Sequence, residues 1–270
     1  MRQSNSNDPG IRRYDNQSPG EPQPVAGDDA LISAVSSHIE KEVGPINTVF
    51  HSLISDKIHL DIHVATLRDE PQYTALITSG MSQRPMKAPP GAEDVDYAEL
   101  AMLLPSDWPG LKAQKLPDDD TINGMAFLPP EMLEEASAKS PDVALANPSN
   151  YWPIQWLQTV AQFAHDYEAL ISVGDTIPNG DPPEPFAPNT QLCAWLVGPS
   201  MIGSGGFSEL EHEGRIIHFY MLMPIHKAEM KLKMRKGVNA LIQAFNEGQV
   251  DPVINPDRAS CVKSKFLGLF

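Results

Sequence analysis

The sequence predicts a mixed α/β fold: a central mixed β-sheet covered by helices, in one domain. Three observations carry that expectation. Strand-like segments follow one another between residues 48 and 104 with no helical pattern between them, which disfavours a purely parallel, doubly wound sheet. From Lys57 to Ala65, the aliphatics Ile58, Leu60, Ile62 and Val64 alternate with His59, Asp61 and His63, the period of a strand with two unlike faces. From Tyr151 to Ile171, a broad apolar stripe recurs at helical spacing, suited to packing deeply against a sheet.

The elements follow in order. Residues 1–27 are rich in Asn, Ser, Pro, Gly and Gln, bury too little apolar surface to offset ordering entropy, and are expected to form a disordered tail. Asp28 is placed to cap a helix carrying Leu31, Ile32, Val35, Ile39 and Val43, which Gly44-Pro45 ends. Strands are expected at Thr48–Leu53, Lys57–Ala65, Tyr73–Thr78 and Tyr97–Leu104. Asp118-Asp119-Asp120 marks a solvated turn, and Pro130–Ser137 a short helix. In the long helix, Trp156, Val160, Phe163 and Tyr167 share one stripe, which Ile154, Leu157 and Ala161 widen. Two more strands, Gln191–Val197 and Arg215–Met223, precede helical stretches near 225–235 and 238–246, punctuated by Gly237 and Gly248. The folded domain is expected over 28–250, with 251–270 as a C-terminal extension of weak pattern.

Charge is unevenly distributed. The chain has 270 residues and a formal charge of −15. Residues 88–214 hold 20 acidic and 3 basic residues, and no Lys or Arg occurs from Ser140 to Gly214. Such a field repels nucleic acid and anionic membrane and attracts a basic protein. The plainer reading is that acidity keeps the chain soluble. Candidate partner-binding residues are Asp118, Asp119, Asp120, Glu131, Glu134 and Glu135. The 26 prolines, about twice the ordinary share, cluster in the first 30 residues, at 85–130 and at 178–188, and mark loops. Two cysteines make no disulfide framework, and Cys193 sits in an apolar run. The first residues lack the apolar stretch of a signal peptide, and no run has the length of a membrane span, so a cytoplasmic location is expected.

Chemistry-bearing patterns are few. His59, Asp61 and His63 project from one strand face, and two imidazoles with a carboxylate suit zinc or iron; they support an alternative reading as a metal-dependent enzyme. The competing reading is a polar sheet face hydrogen-bonded to its surroundings. Gly203-Ser-Gly-Gly206 lacks the spacing and the lysine of a phosphate loop, and Gly198-Pro-Ser-Met-Ile-Gly203 is one residue too long for a nucleophile elbow. Lys227, Lys231, Lys233, Arg235 and Lys236 are read as a solvated helix face. No catalytic residue, metal site or cofactor is assigned.

Several blocks together resemble a known family. Gly44-Pro-Ile-Asn-Thr-Val-Phe-His-Ser-Leu-Ile-Ser-Asp56 and Ile58-His-Leu-Asp-Ile-His-Val64 are similar to the opening of the Suppressor-of-fused domain. Leu76-Ile-Thr-Ser-Gly-Met-Ser-Gln-Arg-Pro-Met86 resembles its most distinctive stretch. Tyr97-Ala-Glu-Leu100, Leu104-Pro-Ser-Asp-Trp108, the Tyr151–Trp156 helix start and Arg215–Glu229 continue in family order, so the resemblance spans about 28–250. It implies an α/β fold without known enzymatic activity that binds another protein. Animal members restrain a zinc-finger transcription factor and carry a second C-terminal domain, for which this chain has no room. The chain is similar to single-domain bacterial members, thought to serve largely as immunity proteins against toxins. The residues with which animal members grip their ligand therefore do not carry over. The motif positions are His59, Asp61, His63, Gly80, Met81, Ser82, Met86 and Glu99. An architectural role is the competing reading for them, with Gly80 permitting a turn and Met81 and Met86 filling the core. A general scaffold binding an extended peptide on a sheet edge is the third alternative.

Overall fold

The structure, a computed structural model, describes residues 25–51, 57–111, 141–203 and 205–262. Helix α1 (Asp29–Glu42) starts where Asp28 accepts hydrogen bonds from the Ala30 and Leu31 amides. It buries Leu31, Val35 and Ile39, and it stops before Gly44-Pro45. Strands β1 (Ile46–His51), β2 (Asp61–Thr66), β3 (Tyr73–Ser79) and β4 (Ala98–Pro105) follow as an antiparallel meander. Then come α2 (Pro141–Ala146), α3 (Pro148–Asp166), β5 (Thr176–Pro178), β6 (Leu192–Pro199), β7 (Glu209–His212), β8 (Arg215–His226), α4 (Lys227–Lys236) and α5 (Val238–Gly248).

The strands form one eight-stranded sheet in the order β1-β2-β3-β4-β8-β6-β5, with β7 paired to β8. Among the described strand pairs, the β4–β8 junction alone is parallel, so the sheet is mixed, as the sequence predicts. Both faces are covered. On one, Ile62, Val64, Leu76, Leu100, Met102 and Leu222 meet α3. There Trp152, Phe186 and Trp195 stack with ring centroids 4.6–5.8 Å apart. On the other, Ala65, Ile77, Ala101, Leu196, Phe219 and Met221 meet α1, α4 and α5. Burial on two sides explains why Phe219–Ile225 is an unbroken apolar run.

Two local expectations are corrected. The alternating segment does not pair as a strand until Asp61, and its polar side is not solvated: Asp61 and His63 are 3% exposed, because α1 lies over that face. Helix α3 begins earlier than the apolar stripe suggests. Asn147 caps it by accepting from the Ser149 amide, and Pro148 occupies the first turn, where a missing amide costs nothing. Its buried face is Ile154, Leu157, Val160, Ala161 and Ala164, while Trp156 and Phe163 pack only in part. The expected turn at Asp118–Asp120 and helix at Pro130–Ser137 lie outside the described residues.

Beyond α5 the chain returns to the body. The Ile254 amide donates to the Leu103 carbonyl at 2.8 Å, and Ile254 is fully buried. Arg258 reaches the buried Glu229 through two parallel bonds of 2.7 and 2.8 Å and also donates to the Pro224 carbonyl. Glu229 further accepts from the His226 and Cys261 amides. Burial opposes ionisation of Glu229, but these donors outweigh it and hold its carboxyl down at about 2.

Candidate functional site

The family-motif residues fall into two groups around the β2–β3 pair. In the first, β4 turns Glu99 inward, fully buried, beneath the turn that follows β3. Its carboxylate accepts from the amides of Gly80, Met81 and Ser82 and from the hydroxyls of Ser82 and Thr78, at 2.6–3.3 Å. Burial pushes this carboxyl above its ordinary range, while the converging donors pull the other way. Gly80 has a φ of +110°, and a Cβ there would run into the His59 carbonyl oxygen. Met81 and Met86 are buried in the core under α3, and His165 of α3 lies 2.9 Å from the Met81 carbonyl. The Thr78–Ser82 stretch is thus a backbone turn folded around a carboxylate. A shallow depression of about 330 Å³ lined by Met86, Lys87, His165 and Glu168 opens beside it.

The second group lies on the α1 side. His51, at the end of β1, is the register partner of Asp61 on β2. His51 Nδ1 lies 2.8 Å and His59 Nε2 3.1 Å from the same Asp61 oxygen. His63 is not part of this cluster. Its Nε2 stands 3.5 Å from the Ser36 hydroxyl on α1, and burial lowers its pKa. The single-strand trio read from the sequence is therefore replaced by a two-strand set in which His51 takes the place of His63. Local spacing gave no sign of His51, because cross-strand register is a non-local property.

Exposed carboxylates collect at the start of β8. Asp94, Glu209, Glu211 and Glu213 are exposed where β8 begins. The Tyr220 hydroxyl is pushed up to about 12, first by burial and then by the negative charges of Asp94, Glu209 and Asp175. Lys227, Lys231, Arg235 and Lys236 are exposed on α4, beyond the opposite end of β8. The six candidate partner-binding carboxylates, Asp118, Asp119, Asp120, Glu131, Glu134 and Glu135, lie outside the described residues. Both sheet edges are poor templates for a further strand: β1 carries a register shift between Ile46 and Thr48, and β5 has three residues. No helix among the described residues is long and apolar enough to cross a membrane.

A mixed sheet closed on both faces, with its motif residues engaged in bracing turns, defines a single α/β recognition-type domain of the Suppressor-of-fused fold. Residues 56–259 match the family described as Suppressor of fused protein. The chain belongs to that family. Three of the solved structures that share the fold illustrate the likeness. A structure described as a Suppressor of fused homolog from Neisseria gonorrhoeae FA 1090 has a TM-score of 0.54 at 16% identity, covering 87% of this chain and 98% of that one. The Sufu–Fu complex gives 0.53 at 14% identity, covering 86% and 92%. Drosophila Suppressor of Fused gives 0.53 at 13% identity, covering 86% of this chain and 51% of that one. No curated protein matches the sequence. The fold is one that holds another protein in at least one relative, the partner of the Sufu–Fu complex.

Proposed function

We propose that this chain is a non-enzymatic protein-binding domain whose partner is basic, and that it serves as an immunity-type inhibitor of a basic toxin. The observation that carries the reading is the concentrated negative charge. Residues 88–214 have 20 acidic and 3 basic residues. Within that stretch Asp94, Glu209, Glu211 and Glu213 are all exposed around the start of β8. A coherent field of this kind steers a positively charged protein and raises its association rate. An acidic domain seated on a basic toxin would cover the groups that hold phosphate.

The test is co-purification with the product of the adjacent reading frame, followed by charge removal. Substituting Asp118, Asp119 and Asp120 with Asn, and Glu131, Glu134 and Glu135 with Gln, should slow association at least tenfold and flatten its dependence on salt. Unchanged association in that variant would refute the electrostatic part. A neighbour that never associates would refute the inhibitor reading.

A further inference from the structure

The His51–His59–Asp61 cluster has more donor capacity than the fold uses. Three side chains from two strands and the approach to β2 place one ligand atom each within 4.8 Å of one another. Each imidazole nitrogen lies within 2.8–3.1 Å of the carboxylate oxygen, so a separation of a few tenths of an ångström reaches the spacing of about 3.3–3.6 Å between ligands of a tetrahedral ion with bonds of about 2.0–2.2 Å. Entry is open on one side: the His51 side chain is 65% exposed and that of His59 28%, while the side chain of Asp61 is 5% exposed and fixed in the sheet.

The surroundings supply the second, independent observation. Ser79 on β3 is the register partner of Asp61, and His63 lies two residues along β2, so both side chains share the Asp61 face. Ser79 is 0% and His63 3% exposed, yet Ser79 Oγ and His63 Nδ1 have no hydrogen-bond partner among the described residues. Two orphaned buried polar atoms beside one carboxylate are costly unless something polar completes them. The loop is also pinned in place. The His59 amide donates to Gln83 Oε1, Gln83 Nε2 donates to the Ala26 carbonyl, and a Cβ on Gly27 would strike the His59 ring.

We propose that His51 Nδ1, His59 Nε2 and the Asp61 carboxylate bind one divalent transition-metal ion of the zinc class, with water completing the coordination and His63 and Ser79 facing that water. Two imidazoles and a carboxylate are the donor set such ions prefer over calcium or magnesium. The site ties β1 to β2 at the sheet edge, so its role is to brace a surface rather than to catalyse. It stands independently of the partner proposed above.

The test uses the full chain, without a purification tag, stripped with a chelator and titrated with cobalt(II) chloride. The expected result is one equivalent bound with the ligand-field absorption of a low-coordinate N/O site, displaced by zinc chloride. His51→Ala should weaken binding by more than about 100-fold, beyond the roughly 10–100-fold that losing a supporting hydrogen bond alone costs; His59→Ala should do the same. His218→Ala, at the acidic end of the sheet, should leave it unchanged. His51 is exposed, so its variant tests the site without threatening the core. Absence of a cobalt spectrum at millimolar metal, or equal affinity in His51→Ala, overturns the proposal and leaves the cluster a hydrogen-bond clamp.

Discussion

Arg258→Ala should be among the most damaging single changes in the C-terminal part of the chain. The guanidinium donates twice to Glu229 and once to the Pro224 carbonyl, and Glu229 is 0% exposed. Removing it leaves a carboxylate in the interior with no opposing charge from Arg258, held by the His226 and Cys261 amides. Breaking one partner of a buried pair costs about 3–5 kcal/mol. For a chain of this size that lowers the melting temperature by roughly 10 °C. The pH dependence separates this cause from lost packing. The folded Glu229 carboxyl sits at about 2 against an ordinary value of 4.5. Its contribution is therefore complete above pH 4.5 and lost as pH falls toward 2, and it amounts to roughly 3 kcal/mol. The gap between wild type and Arg258→Ala should be widest at pH 7 and narrow steadily over that window. Urea titrations at a series of pH values measure it. A loss below about 1 kcal/mol at pH 7, or a gap that does not change with pH, would refute the reasoning.

Three further outcomes follow from the same structure. Glu99→Ala strands the Gly80 and Ser82 amides and the Ser82 hydroxyl in the interior, at about 1–3 kcal/mol per unsatisfied group, so chemical denaturation should show a loss of at least about 3 kcal/mol. Gly80→Ala combines a left-handed φ with a backbone clash at His59, and should fail to accumulate as folded protein, read by circular dichroism and size-exclusion chromatography. Both thiols should resist modification until the chain unfolds: burial raises the pKa of Cys193, and burial followed by Glu229 pushes Cys261 up to about 11, so a thiol-reactive dye at pH 8 should label neither at the rate of a free cysteine.

Much of the scaffold was legible because its signals are local. Asp28 followed by Leu31, Val35 and Ile39 specifies a capped amphipathic helix, and Gly44-Pro45 specifies its end. Strands β3, β4, β6 and β8 are apolar runs bounded by turn residues, and α4 and α5 are separated by Gly237, which the structure holds at a φ of +83°. Strands β5 and β7 escaped notice because three or four residues are too few to display a period. The stripe on α3 was misplaced because its aromatics are large enough to dominate a pattern while packing at the margin of the buried face.

The chemistry was harder to read, for a related reason. Glu99 lies about 20 residues from Thr78 and Gly80 in sequence, and only the β3–β4 register brings the carboxylate under the turn. His51 meets Asp61 across a hairpin, and Arg258 meets Glu229 after two helices and a return segment. None of these contacts leaves a periodic trace. What the sequence did carry was the motif itself, in which Gly80, Met81, Ser82 and Glu99 form one structural unit, and the charge asymmetry, which needs no fold to be counted.

The most direct measurement is a pull-down of the intact chain from its native lysate, with bound proteins identified by mass spectrometry and eluted along a salt gradient. The account predicts one dominant, basic protein, released as ionic strength rises and recovered poorly by a variant in which Asp94, Asp175 and Glu209 are neutralised. Recovery of no partner above background, or of an acidic partner whose retention ignores both salt and those substitutions, would contradict it.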